Sequence, residues 1–540
     1  MAAFAKQPGI QNKPISRDCG KYQDRVATKK THDSRLMLTL AQTFTDYPAP
    51  LLRAIASVRG VDLSATTPSA LAVELSAALA DPASIVDAVD QLPETARAML
   101  SALVTAGGAM TAPAFARLAG DVRQGGPSWL AREQPWIEPL NAAEVLWYRG
   151  LIGRAFATVG GETGDFIFVP SDVLPWLPAA PVSRAAQFQL PVAPTPSIVH
   201  LSSYRLALDA GTLLAFVQNT EVTLSPDGHW QAADVAAVNQ QMLAPAPEAA
   251  LAGAESAAGS DRLSFLLDLG GELGWWRPVG GRLRLLASAV RSWLQLPAPD
   301  QTHALWQAWL QSTEWDDLRR VPELRCEGSG WRNDPAATRR RLLANLAAVR
   351  PGEWHRVEDL AAALQRHDPD FQRSDGIYTT WYIRRVEEPG YLLGFDHWND
   401  VEGALLRFLV GSPLHWLGAV DTGQRGGAHQ SVDSLRITSH GAAWIRQQPL
   451  TQAPPPPAPI RVEADFSVSV PHSAPAFDRF RVARFTQWEA SQPDFRYRIT
   501  QTALRRAAAA GVAGHRVLAF LRYVTQGHLP SNVVRALEKL

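Results

Sequence analysis

The sequence predicts a mainly α protein with small β hairpins, built as a multi-domain array. Three observations carry this. At 540 residues, with 46% apolar and 19% charged side chains, the chain is too long for one ordinary core and suggests roughly three to five domains. Apolar residues recur at helical spacing in short stripes, interrupted by β-like runs that turn on glycines. The 40 prolines include clusters at 178–196, a Pro/Ala linker, and at 448–459, a Pro-rich linker.

Composition narrows the class. Lys+Arg and Asp+Glu both total 52, so only local surfaces can speak for or against nucleic acid. Cys19 and Cys326 stand far apart and neither has a CxxC partner. That fits a reducing cytoplasm and argues against a zinc knuckle or a disulfide framework. No run approaches the ~18 apolar residues of a membrane span, and the N-terminus lacks a signal-peptide core; a cytoplasmic chain without membrane contact is expected. Residues 1–36 read as a disordered basic tail, with eight Lys or Arg against three Asp up to Arg35. An extension upstream of a start at Met37 and a nucleic-acid-binding arm are the other readings of that tail.

Residues 37–81 read as a helical hairpin. Leu51, Leu52, Ile55 and Val58 form one apolar side up to Gly60. A second helix has Thr67 as N-cap, Pro68 at its first position, and Leu71, Leu75 and Leu79 on one face. The order resembles a SAP module, a small DNA-binding motif, but Ser69 and Ala70 stand where such modules carry a base for phosphate; a purely structural hairpin competes. Residues 82–177 give helices from about Pro93 to Val104, from Thr111 with Phe115 and Leu118, and from Asn141 to Gly150. Two β-like runs follow, Gly153 to Val159 and Asp165 to Val169, joined at Gly160, Gly161 and Gly164. Three helices and a glycine-turned hairpin are the winged-helix order. Its third helix would enter the major groove, yet it offers only Arg149, opposed by Glu144, so a sequence reader is not expected there.

Residues 197–333 repeat the pattern loosely as degenerate winged-helix-like modules: a helix over Leu213 to Val217, a β-like run at Glu221 to Leu224, a helix near Ala232, a helix at Leu263 to Leu267, and a β-like run at Leu283 to Leu286. Trp306, Trp309, Trp315 and Trp331 are expected to pack rather than stack on bases. Residues 334–447 read as a further winged-helix domain. Its helices are predicted from Arg339, over Val357 to Leu364, and over Ile377 to Val386. The last carries Arg384 and Arg385, with Arg373 nearby, and is the candidate DNA contact of this domain. A merely solvated basic face is the competing reading for Arg339 to Arg341.

The block 460–540 opens with Ile460, Val462, Phe466, Val468 and Val470 alternating with polar positions, a half-buried strand. A helix is predicted from about Ala474 to Gln492, with Phe477, Phe480, Phe485 and Trp488 on its apolar side. A short strand, Phe495 to Ile499, follows. Thr500 then caps a helix carrying Arg505 and Arg506. Another helix places Val517, Leu521 and Val524 on one face, and Val533 and Leu537 mark the last. The stretches "IRVEADFSVSV", "RFRVARFTQWEASQPDFRYRITQTALRRAAAAGV", "VLAFLRYV" and "LPSNVVRALEKL", in that order, resemble the N-terminal, damage-recognition-like domain of XPB-family DNA helicases. With the upstream modules, the arrangement is similar to bacterial helicase-associated proteins. In XPB helicases this domain precedes the motor, so the resemblance implies DNA binding or docking to a DNA-processing assembly. It does not imply ATP hydrolysis by this chain.

No GxxxxGK[ST], HExxH, GxSxG or GxGxxG occurs, so no cofactor and no catalytic set is expected. His397 beside Asp396 and Asp400, and His355 beside Glu353, read as capping or surface residues rather than metal ligands. The expected function is that of a non-enzymatic DNA-binding accessory protein in repair or transcription, gripping backbone and shape. The block from Ile460 carries twelve Lys or Arg against six Asp or Glu. Arg496, Arg498, Thr500, Arg505 and Arg506 cluster at one strand-to-helix junction, where phosphate could bind. The alternative is a protein-interaction scaffold that recruits a separately encoded helicase or nuclease.

Overall fold

The computed structural model describes residues 38–159, 162–177, 188–202, 204–226, 228–243, 258–328, 331, 333–426, 432–450 and 456–539. The basic tail, most of the 178–196 linker, the turn at Gly160 and Gly161 and the first two prolines of the run at 454 lie outside them. The described chain is mainly helical with small antiparallel sheets. Among these residues no single helix is long and apolar enough to cross a membrane. The bent pair Pro68–Leu79 and Pro82–Asp90 passes on length and composition together, at 78°, with Leu71, Leu75, Leu79 and Ile85 in the core.

The first unit is one core, not two. Phe44, Leu52, Ile55, Leu71 and Leu75 pack in the same cluster as Leu100, Phe115, Leu146 and Ile167, so the helical hairpin at 49–79 leans on the following helices. Helices Glu94–Thr105, Ala112–Ala119 and Ala142–Trp147 surround a three-stranded sheet. In it Ala109–Thr111 pairs with Glu162–Phe168, which pairs with Gly153–Val159.

The same order recurs twice. Helix Arg205–Asn219 leads to bridges at Thr223 with Arg282. Helices Ala232–Gln241 and Ala258–Glu272 follow, then the hairpin of Trp276–Val279 and Arg282–Leu285. Further on, helix Pro335–Leu346, strand Trp354–Arg356, helix Val357–His367, helix Trp398–Gly411 and strands Val420–Gln424 and Ser434–Ile437 repeat it. In each copy the last strand lies between the other two strand segments. The third copy gains a fourth strand: Ile198–His200 pairs with Val420–Gln424, and Ala193 N–H donates to the Trp354 carbonyl at 2.7 Å. The described end of the Pro/Ala linker is therefore built into a sheet. Pro196 fits there because Gly423 has no side chain; a Cβ would lie 2.2 Å from the proline ring.

Two predicted helices are corrected. Residues 377–386 are not a helix: Tyr382–Arg385 is a strand paired with Leu324–Glu327. Tyr378 and Trp381 turn into the core, and the third helix of this unit is Trp398–Gly411. The helix expected over 474–492 ends early. It spans Ala476–Ala483, and Gln487–Ala490 returns as a strand against Phe495–Arg498. Phe485 and Trp488 thus sit past the helix, where period-2 pairing replaces helical spacing.

The C-terminal unit is a four-stranded antiparallel sheet in the order Arg461–Val462, Ser467–Val470, Phe495–Arg498, Gln487–Ala490. Val468, Val470, Phe495 and Tyr497 face inward, onto helices Gln501–Ala509, Gly514–Val524 and Ser531–Glu538. The prolines do not set this unit apart, because its core includes Ala215 and Leu243 of the middle region. Arg479, 3% exposed, also reaches the Leu208 carbonyl at 2.6 Å and the Thr212 hydroxyl at 3.1 Å.

Candidate functional site

The outer face of the C-terminal sheet is polar for the same reason that its inner face is apolar: side chains alternate along a strand. Cross-strand register places Ser469 between Arg461 and Arg496, and Ser467 beside Arg498. Gln487 lies opposite Arg498 on the far strand. Arg461 and Arg496 are exposed, and among the described residues neither carries an ion pair. Arg498 is different. Its guanidinium is tied to Glu489, donates to the Asp465 carbonyl at 2.9 Å and lies 3.6 Å from the Asp465 carboxylate; those partners hold its pKa above the ordinary arginine value.

The neighbouring candidates separate in the same way. Thr500 is the N-cap: its Oγ1 accepts from Ala503 N–H at 3.2 Å, so that hydroxyl is already engaged. Arg506 donates to the carbonyls of Ala483 at 3.3 Å and Thr486 at 3.0 Å. It closes the end of helix Ala476–Ala483 and is a structural residue, with burial pushing its pKa down. Arg505, one position earlier, is exposed and forms no ion pair among the described residues. The cations left open are therefore Arg461, Arg496 and Arg505.

The second group of predicted contacts is corrected. Arg373 is 2% exposed, bonds Glu402 at 2.6 Å, and lies over the rings of Tyr378 and Trp381. Arg384 is held by Glu327 at 2.9 Å, and Arg385 by Glu388 and Asp400, both at 2.9 Å. All three are committed to carboxylates, so none is open to phosphate as arranged. His397 Nδ1 lies 3.0 Å from Asp400. No group of three or more His, Cys, Asp or Glu suited to a metal ion occurs among the described residues.

The third helix of each repeated unit faces inward. Glu144, Leu146 and Trp147 are buried in the first, with Glu144 bonded to Arg123. Phe265, Leu266 and Leu269 are buried in the second, and most of Trp398–Gly411 in the third. Among the described residues, none offers the row of exposed donors that reads base edges.

Sequence reasoning placed a β-like run at Leu283 to Leu286 but passed over its partner strand Trp276–Val279 and the exposed Arg277, Arg282 and Arg284 of the resulting hairpin. The signal was present as "WRPVGGRLRL": a two-glycine turn with basic residues at alternate positions. No family model matches the chain, and no curated protein matches it.

Proposed function

We propose that this chain is a non-enzymatic DNA-binding accessory protein of DNA repair or transcription that grips backbone and shape rather than base sequence. The observation that carries this is the outer face of the C-terminal sheet, where Arg461 and Arg496 flank Ser469, exposed and without carboxylate partners among the described residues. Unpaired arginines beside hydroxyls suit phosphate oxygens. The repeated helix, strand, helix, helix, hairpin order supports reading 94–168, 205–285 and 335–437 as winged-helix modules. The sheet and helices of 460–539 support the resemblance to the XPB N-terminal domain. Buried third helices favour backbone contact over base readout.

The test is a salt-titrated binding assay with duplex, forked, mismatched and single-stranded DNA. If four to six phosphates are engaged, log K should fall against log salt with a slope of about −4 to −5. Replacing Arg461 and Arg496 by Ala should shallow it by about 2; replacing Arg384 and Arg385 should not change it. Absence of binding to every DNA form defeats the reading.

A scaffold that recruits a separate helicase or nuclease is the second reading. It is favoured by Ile137 and Leu140, 64% and 72% exposed on the loop before helix Ala142–Trp147, which suit a protein partner. Changing both to Ser should abolish recovery of a helicase or nuclease from the native host if that reading holds.

A further inference from the structure

We infer that the hairpin Trp276–Leu285 is a second phosphate-binding surface that lies along a nucleic-acid backbone through Arg277 and Arg284. This rests on the DNA-binding reading and assigns a contact on a different unit from the C-terminal sheet.

The hairpin is sharply specified. Gly280 and Gly281 have φ of +57° and +72°, the conformation of a two-residue turn whose twist matches the strands it joins. The register pairs Trp276 with Leu285, Arg277 with Arg284, Pro278 with Leu283 and Val279 with Arg282. Alternation therefore puts Trp276, Pro278, Leu283 and Leu285 on one face, with Leu283 in the core. Arg277, Val279, Arg282 and Arg284 take the other face, and all four are exposed.

Arg277 and Arg284 stand directly opposite each other, with Cβ atoms about 5 Å apart for such a pair. Like charges in that position are destabilising unless an anion lies between them. Neither forms an ion pair among the described residues. Arg282 is bonded to Glu221, at a site half open to solvent. Guanidinium forks on a narrow ribbon suit successive phosphate oxygens.

The equivalent hairpins of the other two units differ. At 153–168, Arg154 is bonded to Asp165 at 2.6 Å and Phe156 is 74% exposed. At 420–437, the hairpin has strands on both sides, Ile198–His200 and Trp354–Arg356, and Val420–Gln424 is buried throughout. Among the described residues, the middle hairpin is the one with two outward cations, Arg277 and Arg284, that form no ion pair. Its outer face has Val279 as its apolar side chain, too little to anchor a protein partner through a buried centre, whereas a polyanion needs charge and donors.

The experiment measures binding of the full chain to a labelled mixed-sequence duplex across salt, alongside binding to polyglutamate. R277A/R284A is expected to weaken duplex binding about tenfold or more at physiological salt and to shallow the slope by about 2. R277K/R284K should keep most of the slope. The thermal midpoint of R277A/R284A should hold or rise, since a repulsion is removed, which separates loss of contact from loss of fold. R461A/R496A serves as the second arm. If it weakens duplex binding while R277A/R284A leaves affinity and slope unchanged, the hairpin inference is overturned and the DNA-binding reading stands. If the wild-type chain binds no duplex, the hairpin inference is overturned, and the DNA-binding reading falls with it only if forked, mismatched and single-stranded DNA are unbound as well. If R277A/R284A affects polyglutamate alone, the surface belongs to an acidic protein segment and the inference is overturned.

Discussion

Arg479 enters helix Arg205–Asn219 at a glycine. A Cβ on Gly211 would lie 2.3 Å from Arg479 Nη2, and that guanidinium cannot swing aside without losing its bonds to Leu208 and Thr212. Gly to Ala in a helix ordinarily gains about 1 kcal/mol. Here Gly211→Ala should instead destabilise by about 1–2 kcal/mol, because a buried charge loses hydrogen bonds. Chemical denaturation measures it, and a stabilised variant would mean that Arg479 does not need the gap. A second residue gives a pH signature. Burial pushes the Glu402 carboxyl up to about 7, with Arg373 pulling the other way. A carboxyl whose folded pKa lies above its unfolded value, near 4.5, binds its proton more tightly when folded. Its contribution to stability is therefore full below about pH 4.5 and is lost as pH rises through 7. Glu402→Gln mimics the protonated form. It should match the wild type near pH 4 and gain relative to it towards pH 8, by up to about 3 kcal/mol at 1.36 kcal/mol per pKa unit. A difference that does not change with pH would place the titration elsewhere.

At the scale of elements, the turn into helix Gln501–Ala509 separates two adjacent arginines that look alike in sequence. Arg506→Ala strips the carbonyls of Ala483 and Thr486 of a donor and should cost about 1–2 kcal/mol while leaving the salt slope of the proposed DNA binding unchanged. Arg505→Ala should leave stability unchanged and shallow the slope by about 0.9 if it meets one phosphate. The reverse assignment of the two effects would exchange their roles. Much of this region was legible in the chain. Val468, Val470, Phe495 and Tyr497 mark strands because one face of the sheet is buried, and Thr500 marks a helix start because its hydroxyl is needed there. What was not legible is whether a given arginine is free. Arg373, Arg384 and Arg385 look like a basic cluster until Glu402, Glu327 and Asp400, all distant in sequence or on other elements, are brought beside them. The strand Tyr382–Arg385 was hidden for a related reason. Its partner Leu324–Glu327 lies far up the chain, and a strand needs its neighbour in a way that a helix does not.

At the scale of the molecule, the described residues form two bodies. One core runs through 40–177. The other joins the second and third repeated units, and the C-terminal sheet shares helix Arg205–Asn219 with it. The first body meets the second through Arg117 on helix Ala112–Ala119. That side chain is bonded to Asp370 and to the Gly376 carbonyl at 2.6 Å, with its guanidinium 5.1 Å from the Tyr378 ring centre and 5.2 Å from that of Phe395. Gly376 permits the approach: a Cβ there would come within 3.2 Å of Arg117 Nη1. Because each body has its own apolar core, a mostly enclosed polar clamp is what this contact adds, and removing one partner strands the other's charge. Arg117→Ala should uncouple the bodies, costing the contact about 2–3 kcal/mol and splitting thermal unfolding in calorimetry into two transitions. Hydrogen exchange should rise at 112–119 and 370–378 and stay unchanged in the C-terminal sheet. Arg117→Lys, which cannot fork between a carboxylate and a carbonyl, should fall between. If the wild-type transition persists unchanged in Arg117→Ala, with no new exchange at either segment, the clamp does not hold the bodies together and their coupling must come from elsewhere in the interface.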